Sequence, residues 1–445
     1  MNHTKPRPER VRPSTVFHSL LASLWTIVAV GFAQSLTAED SPRFRGVNGS
    51  GTSSEVGIPL NWSATKNLVW KTPLPGYGAS SPITLGDKIY ITAYSGYGSG
   101  GDKGEKSALR SHVLCVNRSD GAIVWDKSTV GNSGEQDYSG WLPRHGYSSA
   151  TPATDGVAVY AFFGSSGVVA YDLDGKFLWK ADVGSGTHGW GSGASPAVFE
   201  NIVIINAGVE SGALVGLDRI SGKEVWRTPG IAVSYSTPLL LNVEGQPEAI
   251  VHSTGRIISV NPATGEELWR YETGVGAYIC PSLIAHGNVV YGICGRGGKL
   301  VAVRAGGRGD VTKTHEVWAA KGCPSNVPSP VYHDGHIYWV SDTGIGFSID
   351  AETGGNLKQK RLDPSGNVDV YASVLSVEDK LVVVSRERGT FVLTRSPKLE
   401  RLALNVIEGD STIFNASPVA SRGQLLLRSE RFLYCVGGSA AAGGD

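Results

Sequence analysis

The feature that most constrains this chain is a repeat. An Asn or Asp is followed by Gly four residues on and by Trp four further, at Asn117/Gly121/Trp125, Asp218/Gly222/Trp226 and Asn261/Gly265/Trp269. Asp172/Gly175/Trp179 is one residue shorter in the turn. Asp350/Gly354 carries Lys358 where the Trp would stand, and Val317-Trp318 supplies the Trp of a copy whose turn is expanded over Arg304 to Asp310. A second signature, a small residue and then Pro ahead of an alternating apolar stretch, marks where each unit starts. It reads Ser80-Ser-Pro82, Ala150-Thr-Pro152, Ala194-Ser-Pro196, Ser236-Thr-Pro238, Pro328-Ser-Pro330 and Ala416-Ser-Pro418. Cys280-Pro281 and Ala372-Ser-Val374 are degenerate copies, which brings the total to eight. Successive starts lie 42–49 residues apart, except the first two, which are 70 apart. A Gly/Ser/Lys insertion at Ser95–Ser107 and a long loop at 131–147 explain that one long step.

Each unit reads as four strands. In the fourth, Thr237–Leu241, Ala249–Ser253, Ile257–Val260 and Glu267–Tyr271 alternate, separated by Asn242–Gln246, Thr254-Gly255 and Asn261–Gly265. The Asn or Asp opening the last turn bonds to backbone two residues on, and Gly supplies the positive φ. Four strands in about 40–45 residues is the period of a β-propeller blade. The expectation is an all-β, eight-bladed propeller of four-stranded antiparallel blades. Trp70, Trp125, Trp179, Trp226, Trp269 and Trp318 would give the contacts between blades their largest buried area. The eighth unit runs out of chain after three strands, near Phe432–Val436, whereas Asn67–Lys71 precedes the first complete unit. That segment is expected to be the missing fourth strand, closing the ring. The plan is an export signal at 1–38, an N-terminal extension at 39–61, the propeller at 62–437 and a flexible tail at 438–445.

Composition supports this plan. Glycine makes up 59 of 445 residues, nearly twice the usual share of about 7%, and charged residues only 18%. With eleven Trp, this excludes a coiled coil, a helical bundle and disorder. Basic and acidic residues balance at 40 each, and removal of residues 1–38 leaves 36 basic and 39 acidic. Without a basic stripe there is no electrostatic footprint for nucleic acid. Residues 1–12 carry four basic groups, and Leu20–Phe32 is an apolar core followed by small residues, the pattern of a secretory signal cleaved after Ala38 or, second, Ala33. The core is short for the roughly 20 residues of a spanning helix, and no Cys near the cleavage point would take a lipid. Export to the periplasm or the extracellular space is expected, with no membrane span after cleavage. Of the five cysteines, Cys280 and Cys294 are each seven residues from Gly287 in a predicted hairpin turn, so antiparallel pairing would set them opposite one another for a disulfide. The alternative is that all five are small buried apolar groups. Their spacings suggest no zinc site.

The loops before each first strand should ring one mouth of the central channel. They carry aromatics at similar offsets: Tyr77, Tyr147, Trp190, Tyr235, Tyr278, Tyr371 and Phe414. The second and third loops are richest, with Trp141, Arg144, His145 and Tyr147 in one and His188 and Trp190 in the other. Aromatic planes with two His and an Arg suit a flat polar ligand, a sugar or a peptide strand. The alternative is that these aromatics plug the channel and fix the loops. No third His or Cys joins His145 and His188, so no metal is assigned. The chain has no Gly-x-Ser-x-Gly elbow in a strand-to-helix setting, and no catalytic set is assigned.

Gly216-Leu-Asp-Arg-Ile-Ser-Gly-Lys-Glu-Val-Trp226 and Ser259-Val-Asn-Pro-Ala-Thr-Gly-Glu-Glu-Leu-Trp269 resemble the tryptophan-docking repeat of the pyrroloquinoline-quinone (PQQ) propellers. Pro42-Arg-Phe-Arg-Gly46, with Trp62 and Trp70-Lys-Thr-Pro-Leu-Pro75, is similar to the start of secreted bacterial PQQ-repeat proteins. The likeness covers about residues 42–437. It implies the propeller fold, and either of two activities: calcium-dependent quinoprotein alcohol or sugar dehydrogenase, or a cofactor-free propeller such as the lipoprotein of the outer-membrane β-barrel assembly machinery. Many dehydrogenases of the family place two adjacent cysteines against the quinone, and this chain has no Cys-Cys pair. No Glu–Asn–Asp calcium set maps onto its loops. The expectation is therefore a monomeric binding or scaffold propeller with no cofactor, whose partner is an envelope or secreted protein or a small polar ligand. A small PQQ- and calcium-dependent dehydrogenase is the alternative, and an outer-membrane assembly factor the second alternative.

Overall fold

The computed structural model describes Met1, residues 40–98 and residues 103–437. The expected signal segment (beyond Met1) and the C-terminal tail lie outside the described residues, as does part of the Ser95–Ser107 insertion.

Turn chemistry cuts the chain into short strands, and these form eight antiparallel sheets. The fourth blade shows how closely the repeat is followed: Leu239–Val243, Gln246–Ser253, Arg256–Val260 and Glu267–Glu272 pair in chain order. In the eighth, Val419–Ser421, Gln424–Arg428 and Phe432–Gly437 take Leu68–Pro73 as their outer strand, with Trp70 opposite Cys435 and Pro73 opposite Phe432. The ring therefore closes on its own N-terminal strand, as the sequence predicts. Among the described residues no helix is long and apolar enough to cross a membrane.

The repeat Trp and Gly meet across blade boundaries. Trp179 lies under Gly222 of the next blade and donates its indole N–H to the Arg219 carbonyl at 2.9 Å. Trp70, Trp125, Trp226 and Trp318 do the same, to the carbonyls of Arg118, Leu173, Pro262 and Ala351 at 2.8–3.3 Å. Trp269 departs from this pattern. It is fully buried and donates to Glu248 Oε2 of its own blade at 2.8 Å. The reason is the expanded turn that follows: it runs on to His315, and Gly309–Asp310 adds as a parallel edge strand beside Trp269 and Arg270. Blades seven and eight have no Trp from a fourth strand between them. Trp62, 3% exposed, packs there with Val377, Leu425 and Tyr434.

The segment ahead of the first blade runs along the ring. Ser41 and Pro42 bond to Thr84 and Thr154 of blades one and two. The Arg45 guanidinium donates to the Pro330 carbonyl of blade six, and Thr52–Ser53 pairs in parallel with Ser376 and Val377 of blade seven.

The expected Cys280–Cys294 disulfide is absent, and all five cysteines are free. The hairpin register sets Ile284 opposite Tyr291, and its first strand is only Ile284–His286. Cys280 thus falls in the loop before the strand, while Cys294 is fully buried in the core between blades four and five. The same hairpin moves the start of the fifth unit from Cys280-Pro281 to Ser282, which occupies the position that the other units give to the hydroxyl residue.

Candidate functional site

A hydroxyl residue at the start of each unit, directly before Pro in six of the eight, joins the blades at the axis. Its backbone N–H donates to the hydroxyl of its counterpart in the next blade: Ser81 to Thr151, Thr151 to Ser195, Ser195 to Thr237, and Thr237 to Ser282, at 2.9–3.1 Å. Ser282 to Ser329, Ser329 to Ser373 and Ser373 to Ser417 continue the series at 2.9–3.0 Å. Hydroxyls serve here because a buried N–H left without an acceptor costs about 1–3 kcal/mol. All of these residues line a cavity of about 140 Å³ on the axis. Phe44 of the N-terminal segment, Cys280 and Asn415 also line it, and no Asp, Glu, Lys or Arg does.

The loop at 131–147 reaches along the mouth to blades seven and eight. Its anchor is Leu142, fully buried at the start of a 3-10 turn over Leu142–Arg144 and pressed against Gly191. The Arg144 carbonyl accepts from Asn415 Nδ2 at 2.7 Å and from Arg386 Nη2 at 3.0 Å. Its guanidinium donates to the Tyr371 hydroxyl at 3.2 Å and lies 3.9 Å from Asp369. Arg386 in turn stacks over Tyr371 at 4.5 Å and donates to Asn415 Oδ1 at 2.9 Å. Next along the loop, His145 hydrogen-bonds Ser149 at 2.6 Å through Nδ1, and burial pushes its pKa down to about 4, so the imidazole is neutral near pH 7.

Trp141 and Trp190 stack face to face above this lid, centroids 5.0 Å apart at 11°. His145 lies parallel to Trp190 at 6.4 Å, and the Arg144 guanidinium sits 5.4 Å from the Trp141 ring. Trp141 remains 51% exposed. Tyr235 bonds His188 Nδ1 through its hydroxyl at 2.7 Å and meets Tyr278 edge-on at 6.2 Å. Desolvation lowers the His188 pKa.

Of the candidate ligand-binding residues, the fold brings Trp141, Arg144, His145, His188 and Trp190 together. It places Tyr77 and Tyr147 elsewhere. Both belong to an aromatic cluster with Tyr94, Tyr97 and Leu109 at the root of the first insertion. Tyr147 donates to the Gln136 carbonyl, and Tyr77 accepts from Arg431. Sequence reasoning missed the partners of this loop, Tyr371 apart, because Asp369, Arg386 and Asn415 come from blades seven and eight, over 200 residues away along the chain. It also missed the axial hydroxyls, although their signal, Ser or Thr directly before Pro, was in the repeat.

A family model described as "Outer membrane protein assembly factor BamB" matches residues 60–190 and 164–397. Tetrathionate hydrolase of Acidithiobacillus ferrooxidans is 26% identical over 285 residues, 60% of this chain and 50% of that protein, so the chain spans about half the length of this relative. BamB from Moraxella catarrhalis matches with a TM-score of 0.59 at 13% identity, over 84% of this chain and 99% of that one. A europium-containing methanol dehydrogenase matches with a TM-score of 0.63 at 11% identity, over 88% and 90%. Identities this low establish shared architecture and leave activity to the site itself. The family match spans most of the ring, and the chain belongs to the BamB-like family of PQQ-repeat β-propellers.

Proposed function

We propose that the protein is an exported, non-catalytic binding propeller whose capped mouth takes a neutral sugar ring of an envelope or secreted glycan. The observation that carries this reading is the Trp141–Trp190 stack, which leaves Trp141 half exposed at the mouth. An indole face is electron-rich, so it attracts the slightly positive C–H face of a sugar while excluding water. Arg144, His188 and Asp369 stand around it as hydrogen-bonding groups for hydroxyls.

The quinone of the structurally similar dehydrogenases does not fit the chamber below. Ligand pockets for molecules of that size run to roughly 300–1000 Å³, against about 140 Å³ here. A hard cation needs clustered oxygen ligands, carboxylates foremost, and among the described residues no group of three or more His, Cys, Asp and Glu is placed to hold one.

Trp141→Ala should weaken binding of a neutral oligosaccharide by about 2 kcal/mol, roughly thirtyfold. Titration calorimetry against a panel of neutral oligosaccharides checks this. Binding that is indifferent to Trp141, or absent across the panel, contradicts it. A second reading, an assembly factor that docks an envelope protein, is favoured by the family match with BamB. Cross-linking through the mouth in envelope extract separates the two: a glycan reader is competed by free oligosaccharide, and a protein dock is not.

A further inference from the structure

The axial hydroxyls are only half used. The oxygens of Thr151, Ser195, Thr237, Ser282, Ser329 and Ser373 each accept a backbone N–H from the preceding blade. The remaining bond in the series ends on Ser417. These six residues are 1–7% exposed, and among the described residues none of their O–H protons is donated to a protein acceptor. A hydroxyl has one donor and two acceptor sites. The chamber therefore presents a circle of unspent donors and needs acceptors at its centre. Buried donors without partners are costly, which favours a guest rich in lone pairs.

The charge behind the walls points the same way. Arg386 stands behind Asn415 and Tyr371, and Arg428, 1% exposed, donates to both the carbonyl and the hydroxyl of Ser80, at 2.8 and 2.5 Å, one residue before the chamber-lining Ser81. The Arg428 Nε and Nη2 are buried without a partner. The acids nearby are Asp369, 3.9 Å from Arg386, Glu430, which faces both arginines, and Glu210, which lies against Ser192. Burial raises the Glu430 pKa and pushes Glu210 up to about 7.

We propose that the axial chamber is a binding site for one small oxyanion of the size of sulfate, held by the hydroxyl circle, with Phe44 and His145 also in its lining. Trp190, His145 and Tyr235 line this chamber as well as the mouth, but the anion reading rests on the hydroxyl circle and not on the sugar reading.

The full chain, dialysed overnight against selenate, tests the proposal. The expected result is one selenate per chain, an anomalous selenium peak on the ring axis and displacement by sulfate. Ser329→Ala removes one donor and should weaken binding about tenfold or more. Because it also removes an acceptor that joins two blades, a second variant avoids the ring hydroxyls. Gly193 lines the chamber, and a Cβ there meets nothing closer than 3.7 Å. Gly193→Leu fills the chamber and should abolish selenate binding while leaving the urea-unfolding midpoint of the ring unchanged. Water-sized peaks alone on the axis, or selenate bound equally by Gly193→Leu, would overturn the proposal.

Discussion

Gly222→Ala should destabilise the propeller by about 2–5 kcal/mol in urea unfolding, although the change adds a single carbon. The glycine has φ +70, and a Cβ there would stand 2.6 Å from the Trp179 ring. The left-handed conformation costs Ala about 1–2 kcal/mol, and pushing a rigid indole aside adds about 1–3 more. The indole cannot give way freely, because its N–H is bonded to Arg219 in the same turn. Trp179→Ala alone should cost about 3–5 kcal/mol. The double variant should cost less than the sum, because the missing indole frees space for the new methyl. Strict additivity would show that the two residues do not form one docking unit.

The latch should be the weakest place to wound the ring. Trp70→Ala with Thr72→Ala is expected to cost about 4–7 kcal/mol, a large part of a typical stability of about 5–15 kcal/mol. Trp70 docks on Arg118 and Gly121 of blade one, and the Thr72 hydroxyl donates to the Gly121 carbonyl at 2.6 Å. The same short strand completes blade eight, so its loss opens two contacts at once. Native-state hydrogen exchange should then show Val419–Gly437 opening at far lower free energy than blades two to four. Uniform protection around the ring would contradict a closure that rests on this strand.

How far the sequence could be read follows from what each contact requires. The docking Trp and Gly recur at one spacing because every boundary poses the same packing problem, so blade number, strand order and latch were legible. The disulfide was not. Symmetry about Gly287 fixes where two cysteines would fall on long strands, but the inner strand begins only at Ile284. Trp141, Arg144, His145 and Trp190 lie close along the chain and converge as expected. Their partners on blades seven and eight, and Phe44 in the chamber, lie far off along the chain, and no local pattern joins them. Tyr77 and Tyr147 share the offsets of the mouth aromatics, yet the first insertion supplies Tyr94 and Tyr97 for them to pack on. Equal spacing in sequence therefore did not mean equal position.

The proposed binding role rests on an axial chamber of about 140 Å³, small for a quinone, beneath the Arg144–His145 loop. Titration with PQQ and calcium, followed by cofactor absorbance and by dye reduction with alcohols and sugars, tests it most directly. No binding at high micromolar cofactor and no turnover is the result expected. Stoichiometric PQQ binding with substrate-dependent dye reduction would contradict it.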